Sequence, residues 1–334
     1  MKVLLVNIDS SIPNLALKKV EAYHLALGDN IMWNMPLAIN EVDKIYVSCI
    51  FPENRNDCLI YEGKALIGGS GYDMSIKLPP EIEATKARIN WGFTTRGCIR
   101  KCYFCFVPKM EGLIHIVSDI YDIWDGKSHE ITLMDNNILA LPNHFKNICK
   151  QIRNENLRVD FNQGLDHRLL TEDLWQELKS LKHIKEIRFA YDDISYKNTV
   201  IKALDLMKEN GLNDWQTRWY VYVGIKDTFE TVYERLILLQ SYKQHAYLMR
   251  DKQVYDNPMW IALATWTNFQ GAFKMDLAIL LRENKRFKSY APFFPKIEEK
   301  YCEIAAKRCS QSVMSLETNT QEKIEQKPLI DSTK

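Results

Sequence analysis

RGCIRKCYFCFVP, residues 96–108, holds three of the chain's eight cysteines, Cys98, Cys102 and Cys105, within eight residues, with basic and aromatic side chains between them. Thiolates at this C-x3-C-x2-C spacing can wrap one small inorganic body and bind it from one side. A structural zinc site closes a tetrahedron with four ligands, usually from two well-separated C-x2-C pairs, and only one half of such a pair is present. A cubane iron–sulfur cluster has four iron corners, so three cysteines leave one iron free to bind a substrate. The zinc alternative needs a distant fourth ligand, such as Cys302 or Cys309. Three unligated buried thiols are a further alternative.

Outward from this stretch the sequence alternates strand and helix. Runs rich in aliphatic and aromatic residues at 90–95, 130–134, 157–161, 186–191, 218–223 and 246–249 read as strands. Between them lie helical spacings: Phe145, Ile148, Cys149, Ile152; Leu174, Leu178, Leu181; Val200, Leu204, Met207, ended by Gly211; and Val232, Leu236, Leu239. Cys149 therefore reads as a packing residue. Six strand–helix units in series predict a parallel sheet curled into a partial (β/α)6, TIM-like barrel, with the three cysteines on a loop just past its first strand. Such barrels carry their working residues at the C-terminal strand ends. There the sequence places Asp135-Asn136-Asn137, Asn162-Gln163-Gly164, Asp192-Asp193 and Gly224-Ile225-Lys226-Asp227. Each is also an ordinary turn or cap composition; their shared position predicts a common pocket.

Before the barrel, apolar runs at 2–8, 44–51 and 65–67, the last ending in GGSG (68–71), predict a small Rossmann-like, flavodoxin-like α/β module. Leu17, Val20, His24 and Leu27 recur at helical spacing before Gly28, and His24 and Cys49 fall on these apolar patterns as core residues. The two prolines in LPPEIE, residues 78–83, read as a linker. The expected organisation is thus a small domain at 1–80, the barrel at 81–255, a helical and aromatic extension at 256–309 and a disordered tail at 310–334. In the extension, Trp260, Trp266 and Phe269, with the aromatics of 287–295, read as packing of a C-terminal helix or as a roof stacked on a planar substrate.

The 334 residues are 46% hydrophobic, enough to fill a large core, and 44 basic residues nearly balance 43 acidic ones for a net charge of +1. No global field draws the protein to nucleic acid or membrane. No apolar run reaches the roughly 18 residues that cross a bilayer, and no cleavage-type leader precedes Asp9, so a cytoplasmic protein without a membrane partner is expected. The remaining cysteines are scattered, which argues for reduced thiols rather than a disulfide framework.

CIRKCYFC, from Cys98 through Cys102 to Cys105, with Phe104 just before the last cysteine, resembles the signature of the radical S-adenosylmethionine (SAM) superfamily, and the six strand–helix units at about 90–250 resemble its partial barrel. The resemblance implies a 4Fe–4S cluster on the three cysteines whose fourth iron chelates SAM. It also implies reductive cleavage to a 5′-deoxyadenosyl radical that abstracts hydrogen from a substrate, leading to methylation, sulfur insertion or rearrangement. The electron would come from an external one-electron donor such as flavodoxin or ferredoxin. For SAM contacts it points to Phe104; to Asp135 and Asn136, which stand where the superfamily commonly has Gly-Gly-Glu; and to Asn162, Gln163 and Arg168, the last resembling the arginine that pairs with the SAM carboxylate. Gly224 and Ile225 resemble the fifth-strand Gly-x-Pro-x-Glu-Thr segment that lies against adenine, without its proline. Arg96, Arg100, Lys101 and Lys109 put positive charge around the thiolates. The module at 1–80 resembles a cobalamin-binding domain, but Asp9 to Asn14 contains no histidine to ligate cobalt. It reads as a degenerate relative that shapes the substrate mouth, cobalamin binding being the alternative. The substrate class, small molecule or nucleic acid, is left open. The competing function is a zinc-stabilised nucleic-acid-binding or assembly protein without catalysis.

Overall fold

Residues 2–7 alternate apolar side chains to both faces, and each face is covered. Strand β1 (Lys2–Asn7) sends Leu4 and Val6 into one core cluster with Ile45, Val47, Cys49, Cys58 and Ile67. It sends Val3 and Leu5 into another with Leu17, Val20, Tyr46 and Ile82. Burial on both sides is why this strand is a continuous aliphatic run rather than an alternating one. The structure, a computed structural model, describes residues 1–293. After β1 come helix α1 (Leu15–Ala26), β2 (Asn30–Trp33), β3 (Lys44–Ser48) and β4 (Leu66–Gly68). They form a parallel sheet of order β2-β1-β3-β4, with Leu4 opposite Met32 and Ile45. Only α1 is a full crossover helix. The other two connections carry 3-10 turns at Pro36–Asn40 and Pro52–Tyr61.

Four expectations change here. The edge strand β2 has a half-exposed pattern that no apolar run announces. Leu27 lies at the C-cap of α1 and is exposed, whereas Leu17, Val20 and His24 are buried. The proline-rich segment at 78–83 is not a bare linker: Pro80 opens a helical turn, α2 (Pro80–Glu83), that seats Ile82 in the core of the first sheet. Proline suits a first helical turn, where its missing N–H has no partner to lose. The run at 90–95 is not one strand. It splits into β5 (Trp91–Gly92), parallel to the sheet behind it, and β6 (Thr95–Arg96), which turns away.

Then follow α3 (Val107–Glu111), β7 (His115–Ile116), α4 (Ile120–Ile123), β8 (Glu130–Leu133), α5 (Pro142–Asn154), β9 (Arg158–Phe161), α6 (Glu172–Lys179), β10 (Lys182–His183), β11 (Ile187–Ala190), α7 (Lys197–Glu209) and β12 (Thr217–Val223). Strands β10-β9-β8-β5 form a second parallel sheet, and β11 pairs in parallel with β12 from Ile187–Thr217 to Ala190–Tyr220. A parallel bridge, Leu165 to Phe189, joins the segment after β9 to β11. Near this junction the buried Arg188 guanidinium pairs with Asp160 and donates to the Phe161 carbonyl at 3.1 Å. The helices pack as their spacing dictates: Phe145, Ile148, Cys149 and Ile152 of α5, Leu174 and Leu178 of α6, and Val200, Leu204 and Met207 of α7 are all buried.

The chain divides into two compact units inside β12, the first ending at Tyr220. In the second unit, α8 (Phe229–Ser241) starts from a Thr228–Thr231 capping box and buries Val232, Leu236 and Leu239. The Asp251 amide, just past β13 (His245–Arg250), donates to the Val223 carbonyl at 2.8 Å. Helix α9 (Pro258–Asn268) buries Trp260 and Trp266, while Phe269 beyond it is exposed. The aromatic helix therefore packs chiefly as core. The expected tail at 310–334, with Cys302 and Cys309, lies outside the described residues. Among the described residues no helix is long and apolar enough to cross a membrane.

Candidate functional site

The cysteine stretch is a loop with its two feet tied together. Strands β6 and β7 pair antiparallel, Thr95 with Ile116 and Arg96 with His115, so the chain leaves and returns at one place. Inside this pair the Cys98 amide donates to the Gly112 carbonyl at 3.2 Å. Gly97 has φ +80°, and a Cβ there would fall 2.4 Å from the Leu113 carbonyl oxygen, so only glycine lets the two feet approach so closely. Cys102 to Cys105 forms a turn closed by the Cys105 amide on the Cys102 carbonyl at 3.0 Å, and α3 begins two residues later.

A carboxylate that the motif does not announce braces this loop. Glu111, the last residue of α3, accepts the Gly97 amide at 2.8 Å and the Asn136 side-chain amide at 2.8 Å, and pairs with Arg96 at 2.8 Å. It joins both feet of the loop to the strand end after β8. A second unannounced carboxylate, the buried Asp166, accepts from Arg100 Nε at 2.7 Å and from Arg168 Nε at 2.6 Å. Burial by itself would raise the Asp166 pKa, but these two guanidinium groups outweigh it and hold the carboxyl below its ordinary range. The Arg168 guanidinium also lies 4.4 Å over the Tyr196 ring.

The three thiols are half-buried and close enough to act on one another. Burial pushes the Cys102 thiol up, Asp192 and Cys105 push it further, and Arg168 opposes them. Burial likewise raises Cys105; the Val107 amide works against this, and Cys98 and Asp192 add to the rise. Cys98 accepts from the Arg100 amide at 3.3 Å and from Asn137 Nδ2 at 3.6 Å. Three thiols in one loop, which would repel one another as thiolates, are a donor set that could serve a polynuclear metal group, each sulfur taking its own metal corner. Among the described residues, no three His, Cys, Asp or Glu side chains, these thiols included, are gathered closely enough to hold a metal ion. The remaining cysteines of the first unit, Cys49, Cys58 and Cys149, are fully buried, Cys49 and Cys149 as their apolar settings predict.

The other expected site residues divide into four groups. Phe104 is half-buried on the loop, edge to face with Tyr103 at 5.3 Å. Asp135 and Asn136 end β8, but their side chains are engaged by the protein itself. Asp135 Oδ1 accepts from the amides and hydroxyls of Thr94 and Thr95, and burial raises its pKa despite them. Its Oδ2 and Asn137 Oδ1 are buried without a hydrogen-bond partner among the described residues. Asn162 and Gln163 follow β9 with half-buried side chains that make no hydrogen bond among the described residues. Gly224 and Ile225 lie in the second unit. There Gly224 is buried, its amide donating to Asp227 Oδ2 at 2.9 Å, and Ile225 is 64% exposed at the turn. Of the expected cations, Arg96 and Arg100 are paired, while Lys101 and Lys109 stand exposed.

In the N-terminal sheet, the place where a doubly wound module receives a ligand is the crevice beyond β1 and β3, where strand order reverses. The chain fills it itself. Asp9 accepts from the Ile50 amide at 2.8 Å, the Phe51 amide at 2.8 Å and Asn54 at 3.2 Å. Burial would raise the Asp9 pKa, and these bonds instead lower it. A Cβ on Gly71 would lie 2.5 Å from the Phe51 carbonyl carbon, so the GGSG glycines pack against the chain's own backbone. After β1 the chain offers no histidine to ligate cobalt, and the Ile50 and Phe51 amides at this crevice already bond Asp9.

No family model and no curated protein matches the chain. Two solved structures of the cobalamin-dependent S-adenosylmethionine radical enzyme OxsB align with it. The one with aqua-cobalamin and S-adenosylmethionine bound does so over 82% of this chain at 15% identity and a TM-score of 0.49. The one with aqua-cobalamin alone covers 86% at 13% identity and the same TM-score. The chain spans 56% of the length of each.

Proposed function

We propose that this chain is a radical S-adenosylmethionine enzyme in which Cys98, Cys102 and Cys105 hold a 4Fe–4S cluster with one iron open to SAM. The observation that carries this reading is the loop itself: three half-buried thiols, each within electrostatic reach of the others, on a segment pinned at both feet. When bound, cluster and SAM supply reductive cleavage to methionine and a 5′-deoxyadenosyl radical, which takes hydrogen from the substrate.

The chain's own residues position and exclude. Glu111 holds the loop at a fixed height over the β8 end. Asp166 aims Arg168 beside Cys102, where a guanidinium supports a thiolate and presents a donor face to a carboxylate. Asn162 and Gln163 supply uncommitted amide donors and acceptors at the β9 end for the polar part of SAM. The strands from β5 to β13 make up a partial (β/α)6 barrel in this reading, and Gly224 and Ile225 lie against adenine. The N-terminal module works without cobalamin and shapes the substrate mouth, and the electron comes from an external donor such as flavodoxin or ferredoxin. Methylation, sulfur insertion and rearrangement are the outcomes open to such an enzyme.

Anaerobic reconstitution tests the proposal. The protein should turn brown with about four irons per chain, and dithionite with SAM should release 5′-deoxyadenosine. Cys102→Ala should lose both. A colourless protein holding stoichiometric zinc, or a Cys102→Ala variant of unchanged activity, defeats it.

A further inference from the structure

The first unit contains a cavity of about 380 Å3, lined by α1, the stretch after α2, β5 and α4. Its size suits a ring system rather than a solvent ion. Trp91 and Phe93 contribute aromatic wall, ring centroids 6.1 Å apart and edge to face. Four cations line it against two carboxylates, and most of these charges are already matched. Lys19 pairs with Glu83 at 2.7 Å, Lys86 with Asp122, and Arg96 with Glu111 at 2.8 Å. Two lining groups make no protein hydrogen bond among the described residues, and both are donors: the guanidinium of the exposed Arg88, at the cavity's rim, and the indole N–H of the half-buried Trp91. Arg88 also holds φ 44°, a left-handed conformation unfavourable for a residue with a side chain.

We propose that this cavity binds a planar aromatic anion, its ring against Trp91 and Phe93 and its acid group on Arg88. The unclaimed groups are donors and the carboxylates are committed, so an acid is held where a cation is not. Arg96 joins the site to the cysteine loop, because its guanidinium lies 4.1 Å over the Phe93 ring while it pairs with the same Glu111 that braces Gly97. The proposal goes beyond the SAM chemistry and stands whether or not the loop carries a cluster.

Calorimetric titration of the full chain, not reconstituted, with 2-naphthalenesulfonate as probe tests it. One saturable site per chain is expected. Arg88→Ala should weaken it roughly ten-fold, the scale of one charge-assisted hydrogen bond, with partial recovery in Arg88→Lys. Trp91→Leu should weaken it by roughly ten-fold. Neutral 2-naphthol and inorganic sulfate should each bind more weakly than the probe. Phe106→Ser, on the exposed face of the cysteine loop, should bind as the parent does. Absence of saturable binding, equal affinity in Arg88→Ala and Trp91→Leu, equal affinity for 2-naphthol, or loss in Phe106→Ser overturns the assignment.

Discussion

Removal of the Glu111 carboxylate tests how the cysteine loop is held. In Glu111→Ala the buried Gly97 amide loses its only acceptor in the brace, Asn136 loses one, and Arg96 loses its ion pair. An amide left unsatisfied costs about 1–3 kcal/mol, and a hydrogen bond to a charged group is worth about 1.5–3 kcal/mol. The ion pair is discounted to about 0.5 kcal/mol, because the Arg96 side chain is 35% exposed. Since the three share one carboxylate they do not add fully, and a net loss of about 3–4 kcal/mol in loop ordering is expected. At 1.4 kcal/mol per decade, the loop should open several hundred-fold more often. Hydrogen exchange of the Gly97 and Cys98 amides reads this directly, with no metal needed. In reconstituted protein, the same variant should release iron to a chelator far faster than the parent. Glu111→Gln keeps one acceptor for Gly97 and should fall between the two. If Gly97 and Cys98 exchange in Glu111→Ala at the parent rate, the brace is not what holds the loop and the reasoning fails.

Three further outcomes follow from single residues. Burial drives the His167 pKa down to about 4, so the unfolded chain binds a proton between about pH 6.5 and pH 4 that the folded one refuses. His167 should therefore lower stability as pH drops, by about 2 kcal/mol between pH 7.5 and pH 5 in urea melts, and His167→Phe should flatten the slope by that amount, leaving the smaller part due to His144 and His183, whose pKa values burial also lowers. Asp166→Asn should cost about 2 kcal/mol at pH 7, discounted because Arg100 and Arg168 are partly exposed. Because the Asp166 pKa is depressed, its contribution is full above about pH 4 and is lost as pH falls through the lowered folded value, so parent and variant should converge in acid. An undiminished gap at low pH refutes the pairing. Gly71→Ala must push a methyl into the Phe51 backbone, which cannot swing aside, and should destabilise by about 3 kcal/mol in the same melts. A neutral result there would mean that the crevice has room to spare.

What the amino-acid order discloses depends on whether a residue's partner is near in sequence or far. The helix with Phe145, Ile148, Cys149 and Ile152 is legible because its period is local, and all four are buried as that period requires. The three cysteines are legible as one cluster on a loop because they lie within eight residues of one another. β2 is not: an edge strand with a half-exposed pattern carries no apolar alternation to read. The break within 90–95 is hidden for another reason, since Thr94 and Thr95 are drawn off the strand line by the Asp135 carboxylate, forty residues away. Glu111 and Asp166 escape notice for the same reason. Their key partners lie 14 and 66 residues away, and nothing in a lone Glu at a short helix's end, or in DHR, marks them. The two-residue spacing of Asp166 and Arg168 was the one available hint. Asp135 and Asn136 stand at the end of β8 as their sequence position predicts, but the residues that occupy their side chains come from other segments.

The antiparallel clasp of Thr95–Arg96 on His115–Ile116 makes the stretch between them a cassette set into the scaffold rather than a continuation of it. Its entry and exit are neighbours, so its contents can be shortened, lengthened or exchanged for a counterpart from another chain without re-registering any strand of the parallel sheet behind it. A natural sequence can thus revise the cysteine-bearing insert and the supporting frame on separate schedules, and a protein engineer can do the same.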